Sequence, residues 1–486
     1  MKNILLTVLL FSNLFVLAQK EDSQFISIHQ LQNQQFKSLG DSMLKQQHPF
    51  WSKPSPLLVT KKLELTRKVF GWHPFWASAT AYQSYNYDVL THLSYFSYET
   101  DTLTGGYKTI NGWDQTPVIE WAHQRGVKVM LTVTNFGTTS NNALLKDTLR
   151  QNFMIQTLIS LLKSRNGDGV NFDLELVSLA HRANMVSFIG RAVKKIKAEL
   201  PDAEISMATP AVDWSGSWDL PALAGLCNYL IVMGYDYYYS GSTTAGPVAP
   251  LEGESYNITK TIDTYLKAGV PPNKLMLGTP WFGYNWPVVS SARKATASGK
   301  GVSLTFMAAA DLAAAYGKTF DETTKVPWLS YKDASNIYHQ AWFDDATSYG
   351  YKYELVNARN LAGIGIWALS YEKGDAAIWN GIQAAFSMTG IEDSPKRQKD
   401  DYRFSVFPNP VRGTSTISFT LSKHQKVELT LTDISGRVIK SLLNKELPAN
   451  NYSFTLDASQ LHDGYYLLVL RTSNLLLTRK IIAKNR

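Results

Sequence analysis

The sequence contains one cysteine, Cys227, among its 486 residues, so no disulfide can form within the chain. Beyond the first 18 residues no apolar run is long enough to cross a bilayer, which takes about 20 residues. The histidines lack metal-ligand spacing, and neither a glycine-rich phosphate loop nor a G-x-S-x-G element is present. A disulfide-stabilised scaffold is therefore excluded. We expect no metal and no cofactor.

Charge and length give coarse bounds. The 48 Lys and Arg residues against 40 Asp and Glu residues leave a net charge of +8, and the basic residues are scattered along the chain. We interpret this charge as favouring solubility, although an anionic cell-wall partner stays open. No nucleic-acid-binding motif is present. The length exceeds the limit of about 250–300 residues for one hydrophobic core, which predicts two folded units.

The N-terminus has the pattern of an export signal. Lys2 is followed by an almost wholly apolar run from Ile4 to Leu17 and by the small residue Ala18. This pattern predicts a signal peptide over residues 1–18 and an exported protein without a membrane span. Residues 19–65 form a polar, glutamine-rich leader with a helical pattern around Ile28 to Leu44.

Residues 66–388 alternate short apolar runs with helical segments. The runs are Val69–Trp72, His92–Phe96, Val127–Val133, Gly169–Leu176, Glu204–Ala208, Tyr229–Met233, Lys274–Gly278 and Gly363–Trp367. Buried strands alternating with helices indicate a parallel sheet. Eight repeats predict an α/β fold of the (β/α)8 TIM-barrel type, with its catalytic residues at the C-terminal ends of the strands. The longer stretch before the last run predicts a small α+β insertion at about 284–360.

The C-terminal part has a different pattern. A charged linker covers residues 389–402, and residues 403–486 hold alternating segments that predict about seven strands of a β-sandwich. Phe407-Pro408-Asn409-Pro410, the turn around Asp433 to Arg437, and Asp463 to Tyr466 resemble the C-terminal sorting domain of the type IX secretion system. The resemblance implies export to the surface or medium of a Gram-negative bacterium. An accessory carbohydrate-binding or immunoglobulin-like sandwich is the alternative.

The strand that contains Asp173 and Glu175 has an unusual distribution of polar residues. Alternation along a strand places Asn171, Asp173 and Glu175 on one face and Val170, Phe172 and Leu174 on the other. The two carboxylates then lie about 6–7 Å apart along the strand. Burying two acids is costly unless they are paired or used. The pattern indicates a hydrolase, although two acids in structural hydrogen bonds would also produce it.

The string Asp168 to Glu175 resembles the DxxDxDxE signature of glycoside hydrolase family 18, the chitinase family, with Asn171 in place of an acid. An asparagine at this position resembles the pattern of the family branch that acts on bacterial cell-wall and spore-wall glycans. Met233-Gly234-Tyr235-Asp236 resembles the family motif MxYD. Trp367, at the end of the last predicted strand, resembles the tryptophan on which the sugar stacks.

The resemblance implies roles for these residues. Glu175 would be the general acid, and Asp173 and Tyr235 would orient the 2-acetamido group of the substrate, which acts as the nucleophile. Asn171, Met233, Asp236 and Trp367 would bind substrate, and Trp72 and Trp281 are further candidates near strand ends. Because further tyrosines follow Asp236, Tyr235 could also belong to a tyrosine-rich rim of the barrel with a purely structural role. Replacement of the usual acid by Asn171 should shift the pH profile without abolishing activity.

The sequence therefore predicts a secreted, monomeric hydrolase of β-1,4-linked N-acetylglucosamine glycans, with chitin or chitooligosaccharides as substrates. Peptidoglycan or the core of N-linked glycans is the alternative within the same class. A non-catalytic chitin-binding lectin on the same barrel is the alternative from another class, although Glu175, Asp173 and Tyr235 are all present. A surface structural protein would leave the polar strand face unexplained.

Overall fold

The structure, a computed structural model, describes residues 25–47, 63–387, 404–421, 423–433, 437–472 and 476–484, with only the backbone for residues 38–47 and 476. The chain divides into two compact units, Met1–Ser387 and Met388–Arg486. The predicted signal peptide, the predicted linker and parts of the leader, 19–24 and 48–62, lie outside the described residues.

The first unit alternates strands and helices. Its helices are α1 (Ile28–Gln47), α2 (Val118–His123), α3 (Thr138–Lys146), α4 (Thr148–Arg165), α5 (Arg182–Glu199), α6 (Leu220–Leu226), α7 (Ile258–Lys267), α8 (Phe306–Tyr316), α9 (Ala346–Ala358) and α10 (Ala376–Phe386). Its strands are β1 (Lys68–Pro74), β2 (His92–Thr100), β3 (Tyr107–Thr109), β4 (Lys128–Phe136), β5 (Gly169–Glu175), β6 (Glu204–Thr209), β7 (Tyr229–Met233), β8 (Leu275–Pro280), β9 (Phe282–Val288), β10 (Val302–Thr305), β11 (Thr319–Asp321), β12 (Val326–Lys332), β13 (Tyr338–Trp342) and β14 (Gly363–Trp367). None of the described helices combines the length and apolarity needed to span a bilayer.

Eight parallel strands close into a barrel. Their order is β1, β2, β4, β5, β6, β7, β8 and β14, and β14 pairs with β1 to complete the ring. The short β3 pairs antiparallel with the end of β2. All eight barrel strands coincide with the apolar runs of the sequence, which confirms the predicted (β/α)8 fold.

Strand β5 shows why this sequence forms a buried barrel strand. Its outward side chain Phe172 packs edge-to-face on Phe188 of α5, with ring centroids 5.5 Å apart, and burial of such a side chain stabilises the fold by about 1.5–3 kcal/mol. At the start of the strand, a Cβ atom on Gly169 would lie 1.9 Å from the carbonyl oxygen of Glu204. Only glycine allows β6 to approach β5 this closely.

The insertion lies between β8 and β14, as predicted. It is a five-stranded antiparallel sheet in the order β10-β9-β13-β12-β11. Its strands begin at Phe282, directly after β8. Ala309 of α8 packs with Leu329, Ala341 and Phe343 of the sheet region into a small separate core.

The second unit is all-β. Its strands are β15 (Ser405–Phe407), β16 (Thr414–Leu421), β17 (Gln425–Asp433), β18 (Val438–Leu447), β19 (Asn450–Asp457), β20 (Gly464–Thr472) and β21 (Leu476–Ala483). They form a sheet β15-β16-β19 and a sheet β18-β17-β20-β21. Ile417 and Phe419 of one sheet share a core with Leu429 and Leu468 of the other, which is the arrangement of the predicted β-sandwich.

Candidate active site

Two buried carboxylates lie at the C-terminal end of β5. Asp173 is inaccessible to solvent and Glu175, the last residue of the strand, is 6 % exposed. Strand alternation directs both into the barrel mouth, opposite the outward Phe172. Among the described residues, Asp173 Oδ1 and Glu175 Oε1 accept no hydrogen bond, although His29 Nδ1 lies 3.4 Å from Glu175 Oε1. An orphaned, buried carboxylate oxygen is costly in a purely structural role and suits a group that acts on a ligand.

Burial changes the protonation of this pair. It raises the pKa of Glu175 to about 8, and the charge of Asp173 adds to the rise. Burial likewise raises the pKa of Asp173 to about 8. Because two close carboxylates cannot both ionise cheaply, the pair retains a proton at neutral pH. Such a pair can donate a proton to a ligand and then hold the resulting charge.

Tyr235, the second residue after β7, enters the same mouth. Its side chain is 3 % exposed, and burial raises the pKa of its hydroxyl well above the ordinary value, so the hydroxyl keeps its proton. Asp236, the next residue, has a left-handed backbone with φ of 60°, and burial raises the pKa of its carboxyl to about 7. Met233 is half-buried at the end of β7. The predicted motif therefore delivers a hydroxyl donor beside the carboxylates.

Trp367, the last residue of β14, is fully buried in the mouth. Trp72 of β1 lies edge-on to it, with ring centroids 6.1 Å apart. A Cβ atom on Gly365 would lie 3.0 Å from Cζ3 of Trp72, so the glycine makes room for that indole. The two tryptophans form an aromatic layer beneath the groups at the strand ends.

Asn171 is occupied within the barrel interior. Its Oδ1 accepts a hydrogen bond from Trp72 Nε1 at 2.9 Å, and its Nδ2 donates to Ser206 Oγ at 2.9 Å. Both amide atoms are therefore used, and the side chain has no solvent exposure. Asn171 therefore holds the Trp72 indole in place, and its predicted role in substrate binding stays a prediction.

Trp281 differs from its prediction. Its indole packs edge-to-face on Trp379 of α10, with centroids 4.9 Å apart, and it is completely buried there. Since α10 belongs to the outer ring of helices, Trp281 fills the space between barrel and helix instead of lining the mouth. The position of a residue directly after a strand does not determine the direction in which its side chain points.

The site includes two aromatic residues that sequence reasoning missed. Trp76 lies two residues after β1, and its Nε1 donates to the hydroxyl of Tyr371 at 3.2 Å. Tyr371 follows β14 and is 5 % exposed. Both residues follow the C-terminal ends of barrel strands, which is the signal that could have identified them.

A histidine of helix α1 contacts both Asp173 and Tyr235. His29 Nδ1 lies 2.8 Å from Asp173 Oδ2, and His29 Nε2 lies 2.8 Å from the hydroxyl oxygen of Tyr235. Burial lowers the pKa of His29 to about 4, so the ring is neutral and has one N–H. In the tautomer with a proton on Nδ1, His29 donates to the ionised carboxylate of Asp173 and accepts a hydrogen bond from the Tyr235 hydroxyl at Nε2.

His29, Asp173 and Glu175 form the one group within the described part of the chain whose histidine and carboxylate atoms approach as metal ligands do, all within 4.8 Å of one another. A cation bound there would need the Nδ1 atom that this hydrogen-bond pattern uses as a donor to Asp173. The sequence prediction of no metal stays a prediction.

The buried carboxylates predict a pH-dependent effect on stability. Glu175 binds a proton more tightly in the folded state, with a pKa of about 8 against an ordinary 4.5, so wild-type stability falls as pH rises from 4.5 through 8. We expect Glu175→Gln to raise Tm by a few degrees at pH 9 and to leave it nearly unchanged at pH 4, by calorimetry at both pH values. Equal changes in Tm at the two pH values would contradict this account.

Two regions of the chain match known families. Residues 72–372 match the Glycosyl hydrolases family 18, and residues 405–484 match the Secretion system C-terminal sorting domain. These are the regions to which the sequence motifs had assigned the same two resemblances.

Curated relatives and solved structures agree with the first match. The chain is 27 % identical to human di-N-acetylchitobiase over 276 residues, covering 51 % of this chain and 68 % of that enzyme. It is 24 % identical to the cortical fragment-lytic enzyme of Bacillus anthracis over 301 residues, covering 58 % of this chain but only 65 % of that enzyme, just under two thirds of its length. The fold is similar to that of a chitinase from Cycas revoluta in complex with (GlcNAc)3, with a TM-score of 0.59 and 21 % identity over 65 % of this chain and 99 % of that one. It is also similar to the spore cortex-lytic enzyme SleL of Bacillus cereus, with a TM-score of 0.57 and 21 % identity over 67 % of this chain and 76 % of that one.

Proposed function

Because the chain belongs to family 18 of the glycosyl hydrolases, we propose that it hydrolyses β-1,4 bonds next to N-acetylglucosamine in chitin or chitooligosaccharides, with retention of configuration. One observation carries the proposal. Glu175 and Asp173 of β5 and Tyr235, which follows β7, converge in the barrel mouth near Trp367 of β14. These residues come from distant parts of the sequence.

Glu175 is the general acid in this proposal. Burial and the neighbouring Asp173 raise its pKa to about 8, so it is protonated at neutral pH and can donate to the glycosidic oxygen. After the leaving group departs, the carboxylate of Glu175 accepts a proton from the water that completes hydrolysis. General acid–base catalysis of this kind contributes about 10²–10⁴ to a rate.

Asp173 and Tyr235 bind and orient the 2-acetamido group of the substrate. In this family that group acts as the nucleophile in place of an enzyme side chain. Asp173 accepts a hydrogen bond from the acetamido N–H and stabilises the positive charge that develops when the carbonyl oxygen attacks. The Tyr235 hydroxyl, which retains its proton, donates to that carbonyl oxygen and orients it. Trp367 offers its face to the sugar ring. Met233, the last residue of β7, and Asp236, which accepts from the backbone N–H of Ile28, contact the sugar beside it.

Peptidoglycan is the second candidate substrate. Two observations favour it: the similarity to cortical fragment-lytic and spore cortex-lytic enzymes, and the presence of Asn171 where the family signature has an acid. The core of N-linked glycans contains the same sugar linkage and is a third. Glu175, Asp173 and Tyr235, the three residues that the proposed mechanism requires, are all present, which argues against the non-catalytic alternative.

The sorting-domain match supports export. Residues 405–484 match a secretion sorting domain, and we propose that the type IX machinery recognises this unit and delivers the enzyme, as a monomer, to the cell surface or the medium of a Gram-negative bacterium.

The test is product analysis on chitin, chitooligosaccharides and peptidoglycan side by side, with NMR detection of the anomer formed first. We expect β-anomeric products from the chitooligosaccharides. An initial α-anomer would overturn acetamide participation, and binding without products from all three would favour the lectin. Products from peptidoglycan alone would replace the proposed substrate with the second candidate.

A further inference from the structure

We propose that helix α1 is a built-in competitive inhibitor that occupies the substrate groove until it is displaced or removed. The proposal rests on the proposed glycosidase function for the identity of the competing ligand. Helix and barrel belong to the same compact unit, and the contacts of the helix run across the mouth of the barrel.

The His29 ring occupies the place of the acetamide. It lies on Trp367 with ring centroids 3.8 Å apart and an interplanar angle of 33°. Its two nitrogens lie 2.8 Å from Asp173 Oδ2 and from the Tyr235 hydroxyl oxygen, and in the Nδ1–H tautomer the ring donates to Asp173 and accepts from Tyr235. A planar acetamide would use the same two partners in the same way, with its N–H on Asp173 and its oxygen on Tyr235. Neutral imidazole thus reproduces both the shape and the polarity of the reacting group.

The next turns of α1 cover the aromatic surface. Gln32 Oε1 accepts hydrogen bonds from Trp367 Nε1 at 3.0 Å and from the Tyr371 hydroxyl at 2.9 Å. Phe36 stacks on Trp76, with centroids 5.2 Å apart and ring planes 17° from parallel. His29, Gln32 and Phe36 are spaced as one face of a helix. That face therefore meets the groups that a sugar chain would contact.

The ends of the contact region define its extent. The backbone N–H of Ile28 donates to Asp236 Oδ2 at 2.9 Å, and Ile28 is fully buried. At the other end, Lys37 reaches Glu99 of β2, at 3.4 Å. This last pair is exposed on the lysine side and contributes little. The inhibitor thus extends from the end of β7 to the end of β2, and no oligosaccharide can occupy the mouth at the same time.

Covalent attachment makes this occupation effective. A tethered segment meets its site at a local concentration of the order of mM or higher, so modest contacts keep the groove filled. A tethered competitor raises the KM measured for substrate and leaves kcat unchanged, because saturating substrate displaces it. A cut in the chain between α1 and β1, residues 48–67, would separate inhibitor from enzyme.

The test compares full-length variants on a soluble chitooligosaccharide. His29→Ala together with Gln32→Ala removes four hydrogen bonds, and we expect KM to fall at least about tenfold, equivalent to about 1.4 kcal/mol of docking free energy, with kcat unchanged. Gln35→Ala is the matched control, since Gln35 is an exposed residue of the same helix and its loss should change neither constant.

Two kinetic results would overturn the inhibitor. Unchanged KM in the double variant of an active enzyme would show that the helix does not compete with substrate. A lower kcat after His29→Ala would make the histidine part of the catalytic machinery. Hydrogen exchange gives a readout independent of any substrate: the amides of residues 31–37 should be protected in wild type and released in the double variant. Exchange at the rate of an unfolded peptide in wild type would also overturn the proposal.

Binding separates this proposal from the proposed function. In a Glu175→Gln background, calorimetry with tri-N-acetylchitotriose should show tighter binding when the His29 and Gln32 substitutions are added. Tighter binding without hydrolysis by any variant would retain the inhibitor and overturn the hydrolase. Hydrolysis with a KM and a binding affinity that the His29 and Gln32 substitutions leave unchanged would retain the hydrolase and overturn the inhibitor. No binding in either background would overturn both.

Discussion

Glu175→Gln lowers kcat on a chitooligosaccharide by about 10³, within the range that a general acid contributes, and changes KM little. The amide has nearly the same size but cannot donate a proton to the leaving oxygen. The expected loss appears in steady-state kinetics on a soluble substrate at neutral pH, where the wild-type carboxyl is protonated because its pKa is raised to about 8.

Asp168→Asn is the matched control for this measurement. Asp168 begins the same sequence signature but lies at the opposite end of the strand. Its Oδ2 accepts from the backbone N–H of Val129 at 2.6 Å and lies 2.7 Å from His123 Nε2. An asparagine retains an acceptor for the backbone N–H, so kcat should stay within about threefold of wild type. A loss below tenfold in Glu175→Gln, or equal losses in both variants, would remove Glu175 from the role of acid.

Asp173→Asn is expected to lower kcat by about 10²–10³, the range measured when one preorganised electrostatic group is removed from a reaction centre. The carboxylate of Asp173 balances the positive charge that forms as the acetamide attacks, and a neutral amide cannot. Its effect should therefore depend on the presence of that acetamide in the substrate.

A thermodynamic cycle that combines the Asp173→Asn substitution with a change in the substrate tests whether the effect depends on the acetamide. The second substrate has a hydroxyl instead of the 2-acetamido group on the sugar at the cleaved bond. Wild type should lose most of its rate on this substrate, and Asp173→Asn should then lose little more, because both changes remove one interaction. Additive losses would mean that Asp173 acts on another group.

The barrel was predictable because its signals are local. The runs Tyr229–Met233 and Gly363–Trp367 coincide with β7 and β14 residue for residue, since continuous apolar runs flanked by helical segments have few other solutions. Asp173 and Glu175 were placed by the two-residue alternation of a single strand. The family match confirms the resemblance derived from these motifs.

The errors and omissions have a common physical origin. His29 lies 144 residues from Asp173 and 206 from Tyr235 in sequence, and no periodic pattern reports such a contact. Its helix was predicted, but a polar, glutamine-rich segment gives no sign of where it packs. The direction of the Trp281 ring depends on Trp379, which belongs to a helix almost a hundred residues later. Tertiary packing decides both.

Helix α1 precedes every strand of the barrel in the chain, which has a consequence for biogenesis. Chains are synthesised from the N-terminus, and Gln32 precedes its partner Trp367 by 335 residues. The segment that fills the mouth therefore leaves the ribosome before the last wall of that mouth has been made. Helix α1 is therefore available to pack into the mouth as soon as the last barrel strand, β14, forms.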